Sequence, residues 1–364
     1  MFQVSSLTVT ILGEGLPKMP VDIMGVKRRL LTLLQDVNLV NEYLKRFGPV
    51  INVKNIKEIK YGGKSAGISK TAPAVLKKPG APAAKAPAQP APEEAGEQDP
   101  IYEMSVNCPI CGRTKITKYE LRAKTQQVLQ TTLLVPVYAG ASGYATVDYT
   151  RLAITVCPDC LFASPDKKNF NYPSFTGTSE EKSSLSIGVI LNMKDATEER
   201  KKALPAALGN PDYFKRERSP KVAIESYRLA MIRAQVEADL IQPYANYKLG
   251  SYMLKIAYIQ KAEKLDDTES LVEALKYFEK SFSVSECTSE EIEMQVLYTI
   301  VALQIRLGDL NTANSYLGTF GKLLNERTAN MKKDPSLTEK WIEKWQDKAK
   351  YLWEEREDLS IFDR

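Results

Sequence analysis

The chain has 364 residues, 43% of them hydrophobic, with 50 Lys and Arg against 45 Asp and Glu and a net charge of +5. That length allows two or three domains with at least one sizeable core, and the even charge balance argues against a dedicated nucleic-acid binder. The sequence has no histidine, which removes the commonest general base, mixed Cys/His metal ligation and the Ser–His and Cys–His nucleophile pairs.

Residues 1–63 read as a small β-α-β module. FQVSSLTVTIL alternates as a strand rich in β-branched residues. Between Asp22 and Phe47, residues such as Val26, Leu30, Leu33, Val37 and Leu44 recur at three- and four-residue steps, the period of an amphipathic helix. Gly48-Pro49 ends that helix, and VINVKNIKEIKY follows as a second strand. GGKSAG at Gly62 contains GKS but lacks the earlier glycine of a phosphate-binding loop. No basic segment precedes a long apolar run at the N-terminus, so no signal peptide is expected. No stretch reaches the roughly eighteen apolar residues that would span a bilayer. The expected location is the reducing cytoplasm, where paired cysteines bind metal or react.

Residues 64–100 are dominated by Ala and Pro, as in APAAKAPAQPAP, and read as a disordered, semi-rigid linker. Residues 101–180 carry four of the five cysteines, as Cys108-Pro109-Ile110-Cys111 and Cys157-Pro158-Asp159-Cys160. Between the pairs, KYELRAKTQQVLQTTLLVPVY and TVDYTRLAITV read as strands around the Gly-containing turn AGASGYA. A CxxC thiolate pair grips one metal from a tight turn, and two such pairs complete a tetrahedral four-thiolate site. Prolines preset both turns, and Gly112 suits a positive φ after the first. Roughly 45 residues separate the pairs, against about 15–20 in a common zinc ribbon; the intervening strands account for the excess.

The metal ligands expected from this pattern are therefore Cys108, Cys111, Cys157 and Cys160, holding one structural zinc that leaves no coordination position open for catalysis. A thiol redox centre is the alternative, although that chemistry favours a CxxC at a helix N-terminus. Cys287 stands outside the pattern. A second alternative is a nucleic-acid-binding zinc ribbon. It would use the basic strand 113–124, in which Arg113, Lys115, Lys118, Arg122 and Lys124 are interleaved with Tyr119.

Residues 181–364 read as helices. Ala223, Tyr227 and Ala230 share a small–large–small spacing with Ala274, Phe278 and Ser281; Ala313 and Leu317 begin a third set that Phe320 breaks. Leu249-Gly250 resembles the first helix of a tetratricopeptide repeat, and RLGDL its inter-helix turn. The intervals, about 51 and about 39 residues, exceed the usual 34 of that repeat. The expectation is tetratricopeptide-like hairpins with insertions, and an ordinary helical bundle is the alternative. Pro335, Ser336 and Glu339 suggest a capping box. After it, Trp341, Trp345, Ala349, Leu352 and Trp353 form one helical stripe, expected to be core rather than a partner hot spot.

Three of these stretches together carry a family resemblance. They are Cys108 to Gly112, Tyr149 through Val156-Cys157-Pro158-Asp159-Cys160, and Ala223-Ile224-Glu225-Ser226-Tyr227-Arg228-Leu229-Ala230. They resemble the bacterial family known as domain of unknown function 2225, over about residues 101 to 325. The resemblance implies a bacterial cytoplasmic protein with a four-cysteine knuckle pair ahead of tetratricopeptide-like helices, and it implies no activity. The family's second knuckle usually reads CPxCGYA, whereas this chain has Leu161-Phe162-Ala163. The combined expectation is an α+β, multi-domain, non-enzymatic scaffold that engages a protein partner through its helical surface.

Overall fold

The computed structural model describes residues 97–174, 179–334 and 336–362. The expected β-α-β module, GGKSAG and the linker up to residue 96 lie outside the described residues. Residues 97–100, read from the sequence as the end of the linker, join the fold. Gln98 donates its N–H to Gly143 O at 2.9 Å, Asp99 pairs with Arg216, and Pro100 is buried.

Four two-stranded antiparallel ribbons follow. Strand β1 (Ile101–Val106) pairs with β2 (Ile116–Leu121), placing Val106 opposite Ile116. Strand β3 (Gln126–Gln130) pairs with β4 (Pro136–Gly140). The two-residue strands β5 (Thr155–Val156) and β6 (Ala163–Ser164) form the third ribbon, and β7 (Tyr172–Pro173) and β8 (Glu180–Glu181) the fourth.

This pairing corrects the expected hairpin. AGASGYA begins in the last two residues of β4 and is not the tip of a strand pair. The reversal lies earlier, where Thr131 N donates to Val135 O at 2.9 Å and Leu134 adopts φ +59°. TVDYTRLAITV is not one strand either. Asp148 Oδ1 accepts from Thr150 N at 3.1 Å and turns Tyr149–Arg151 into a 3-10 helix. A short acidic side chain that bonds its own backbone competes with the strand ladder in this way.

Eight helices complete the described residues: α1 (Ile187–Asp195), α2 (Thr197–Ala203), α3 (Pro220–Asp239), α4 (Ala245–Ala262), α5 (Thr268–Ser283), α6 (Glu290–Leu307), α7 (Leu310–Met331) and α8 (Lys340–Glu354). Their ends follow local chemistry. Ser219 caps α3, with Pro220 at the first helical position, where a missing N–H costs nothing. Gly308, at φ +86°, ends α6, and Asp309 then caps α7. The expected capping box does not form. Ser336 donates its hydroxyl to Asp334 in a local turn, α8 begins only at Lys340, and the Glu339 carboxylate accepts from Thr328.

Helices α3 to α7 each pack on the next, and α8 packs on both α6 and α7. Helix α6 is surrounded, with Val296 to Ile305 buried throughout. The first two small–large sets are buried between the helices, whereas Leu317 of the third is only half-buried. Ala223, Tyr227, Ala230, Ala274, Phe278, Ser281, Ala313 and Phe320 are all buried. Gly250 of α4 receives the Phe278 ring of α5 so closely that a Cβ there would stand 2.9 Å from it. On α8, Trp345, Ala349 and Leu352 enter the core with α6, while Trp341 and Trp353 are half-buried at its margin. The Trp345 ring lies 5.4 Å from that of Tyr298.

Candidate metal centre

Each CPxC pair sits at the tip of a ribbon, the first between β1 and β2 and the second between β5 and β6. The two tips are built alike. Cys108 N donates to Arg113 O and Gly112 N to Cys108 O, at 2.8 and 3.1 Å. In the second tip Cys157 N donates to Phe162 O and Leu161 N to Cys157 O, at 2.8 and 2.9 Å. Both turns close through a left-handed residue, Gly112 at φ +79° and Leu161 at φ +55°. Leu161 therefore adopts a conformation that favours glycine. Its side chain is fully buried in the core formed with α3, and that packing holds the turn.

The two tips bring the four predicted sulfurs together. Cys108 Sγ lies 3.6 Å from Cys160 Sγ, and Cys111 Sγ 3.6 Å from Cys157 Sγ. All four lie within 4.8 Å of one another. Sulfurs about 2.3 Å from a tetrahedral zinc stand about 3.8 Å apart, so the cluster has the size such an ion needs. None of the five cysteines is joined in a disulfide. Neither tip starts a helix, so the dipole that activates redox cysteines is missing here. Cys287 is buried elsewhere against Ser281, and burial pushes its thiol up to about 12.

Cys108, Cys157 and Cys160 are buried and Cys111 is exposed. The surrounding core draws on Val106, Ile116, Phe162 and Phe170, with Val189 and Met193 of α1 closing it. The first helix of the expected helical domain therefore belongs to the thiol core. Hydrogen bonding to Cys157 and Cys160, with burial, pushes the Cys108 thiol far above its ordinary value. Hydrogen bonds from Cys108 and Cys157 hold the Cys160 thiol below its ordinary value. A bound cation is what allows four such sulfurs to be thiolates together.

Arg200 was not visible as a site residue, because TEERKK reads as a solvated charge run. It is 1% exposed, and its Nε donates to Cys160 O at 3.0 Å. Nη2 donates to Thr197 Oγ1 at 3.1 Å, and Nη1 is buried without a partner. A buried, under-satisfied guanidinium beside the second knuckle suits a site of net negative charge, which four thiolates around a divalent ion would be. Across the tips, Arg113 meets Asp159 at 3.6 Å in an exposed ion pair of small energetic weight.

Of the basic residues on 113–124 that the nucleic-acid alternative would use, Arg113, Lys115, Arg122 and Lys124 are exposed and Lys118 is not. Lys118 is 1% exposed and donates to Pro165 O at 2.7 Å, with Glu120 beside it at 3.4 Å. Tyr119 is also buried, and Arg122 stacks over Tyr102. Strand β2 alternates imperfectly because Lys118 and Tyr119, adjacent in the chain, are both buried.

These features define an α+β protein in which two ribbon tips assemble a four-thiol cluster beside a helical array. The chain belongs to the bacterial family described as "Uncharacterized protein conserved in bacteria (DUF2225)", whose model matches residues 101–348. No curated protein and no solved structure matches it. No helix among the described residues is long and apolar enough to cross a membrane.

Proposed function

We propose that the protein is a non-enzymatic, zinc-stapled scaffold of the bacterial cytoplasm that engages a protein partner through its helical surface. The observation that carries the metal reading is the closed four-sulfur cluster, three of whose members are buried beneath the apolar residues of α1. Cys108, Cys111, Cys157 and Cys160 would hold the ion, and four thiolate ligands leave no position for a substrate. The soft, all-sulfur donor set favours zinc over magnesium or calcium. The partner reading is supported by the tetratricopeptide-like spacing at the helix crossings and by the succession of packed helices α3 to α7.

Metal analysis of the purified chain tests the first half. One zinc per chain is expected, lost in Cys108→Ser, and a folded metal-free protein would overturn it. Crosslinked capture from native bacterial lysate tests the second half. A stoichiometric partner is expected with the full chain and not with one lacking 268–362, with retained zinc reporting that the remainder is folded. Recovery of no partner would count against the scaffold reading.

A further inference from the structure

A cavity of about 440 Å³ lies where the thiol module meets α3 and α4, a size usual for small-molecule sites. Its walls include Asp166 from the loop after β6, Arg233 and Glu237 of α3, and Lys248, Tyr252 and Lys255 of α4. Arg233 is 1% exposed, yet its Nε has no hydrogen-bond partner. The rest of its guanidinium pairs with Glu237 and donates to the Tyr252 hydroxyl at 2.8 Å. Glu237 also accepts from Lys248 Nζ at 2.7 Å, so one buried carboxylate serves two cations. Lys255 is a third cation. Its ammonium stands over the Tyr252 ring, 5.8 Å from the centroid, and makes no salt bridge among the described residues. Asp166 stands on the opposite wall and already accepts from Lys168 N at 2.9 Å.

Three cations therefore face two carboxylates inside a cavity. Burying cationic charge without compensation is unfavourable, and an anion would relieve it. Burial pushes the Lys255 ammonium down to about 8. Tyr252 accepts from Arg233 and retains a hydroxyl proton to donate. We propose that this cavity binds a small organic oxyanion, a carboxylate or phosphate, with Lys255 as its principal contact, Tyr252 as a hydrogen-bond donor and the Arg233 charge behind them. The site is distinct from the four-sulfur cluster, and neither metal content nor partner capture enters its test.

Calorimetric titration of the full-length protein in low-salt chloride buffer, with inorganic phosphate and separately with succinate, measures binding. Saturable one-to-one binding of at least one anion is expected. Lys255→Gln should weaken it about tenfold or more, the loss of one charge-assisted hydrogen bond. Lys322→Gln, on the exposed face of α7, should leave it unchanged. Amine acetylation of the wild-type chain, read by mass spectrometry, gives a measurement independent of any variant's folding. The binding anion should protect Lys255 and not Lys322, and which anion protects distinguishes a phosphate from a carboxylate ligand. No saturable binding of either anion, or equal acetylation of Lys255 with and without them, would overturn the proposal.

Discussion

Leu161 stands at φ +55°, a conformation that favours glycine, and its side chain is wholly buried. The left-handed backbone costs about 1–2 kcal/mol, whereas removing a buried leucine costs roughly 2–5 kcal/mol. Leu161→Gly should therefore lower stability in urea by about 1–3 kcal/mol, although glycine suits the backbone there better. Equal or greater stability would show that the turn, and not the packing, governs this position. Gly112 makes the reverse case. Nothing lies within 4 Å of where its Cβ would stand, so Gly112→Ala should cost only about 1 kcal/mol, from the backbone alone. Arg200→Gln should weaken zinc binding by about 10- to 100-fold, measured by competition with a chromophoric chelator. The four thiols were legible because their spacing is itself the chemistry. Arg200 was not, because burial of one arginine in a charged run leaves no mark on composition or period.

Among the elements, the helices were the most legible, since a buried face repeats every three or four residues whatever it packs against. The first two small–large sets also marked positions buried between the helices. Gly250→Ala would drive a methyl into the Phe278 ring and should destabilise the chain by about 1–3 kcal/mol, while the double variant with Phe278→Leu recovers part of the loss. Thermal melts of the two singles and the double measure this, and additive losses would disprove the contact. Trp345→Ala should cost more, about 3–5 kcal/mol, because α8 seals the α6 core through that ring. The ribbons were poorly legible. Strands of two residues carry no period, and the pairing of β3 with β4 is set by a turn at 131–135 that has neither Gly nor Pro.

At the scale of the molecule, the thiol module and the helices are joined by shared side chains. Tyr227 of α3 donates its hydroxyl to Thr150 O at 2.7 Å, and buried Arg218 donates to Ile154 O at 2.6 Å. Leu161 lies in the same core as Tyr227, Leu249 and Tyr252. Metal removal by a strong chelator should therefore act beyond the cysteines. Limited proteolysis is expected to open first within 101–200, with α5 to α8 surviving as a resistant fragment. Simultaneous loss of both regions would show that the metal supports the whole fold. The change from strand to helix was visible in the sequence as a change of period, although the ribbons and helices form one compact unit. The interlocking was not, because it rests on single polar groups far apart in the chain.

The two knuckles share one hydrogen-bond pattern and differ in their attachment. Leu161, Phe162 and Ala163 anchor the second in packed core, whereas Cys111 and Gly112 lie at the surface of the first. In the metal-bound form, the ion acts as a clasp with one fixed jaw and one accessible jaw. Exchange with an outside thiol or chelator should therefore begin at a single sulfur, so that brief alkylation labels Cys111 well before Cys108, Cys157 or Cys160.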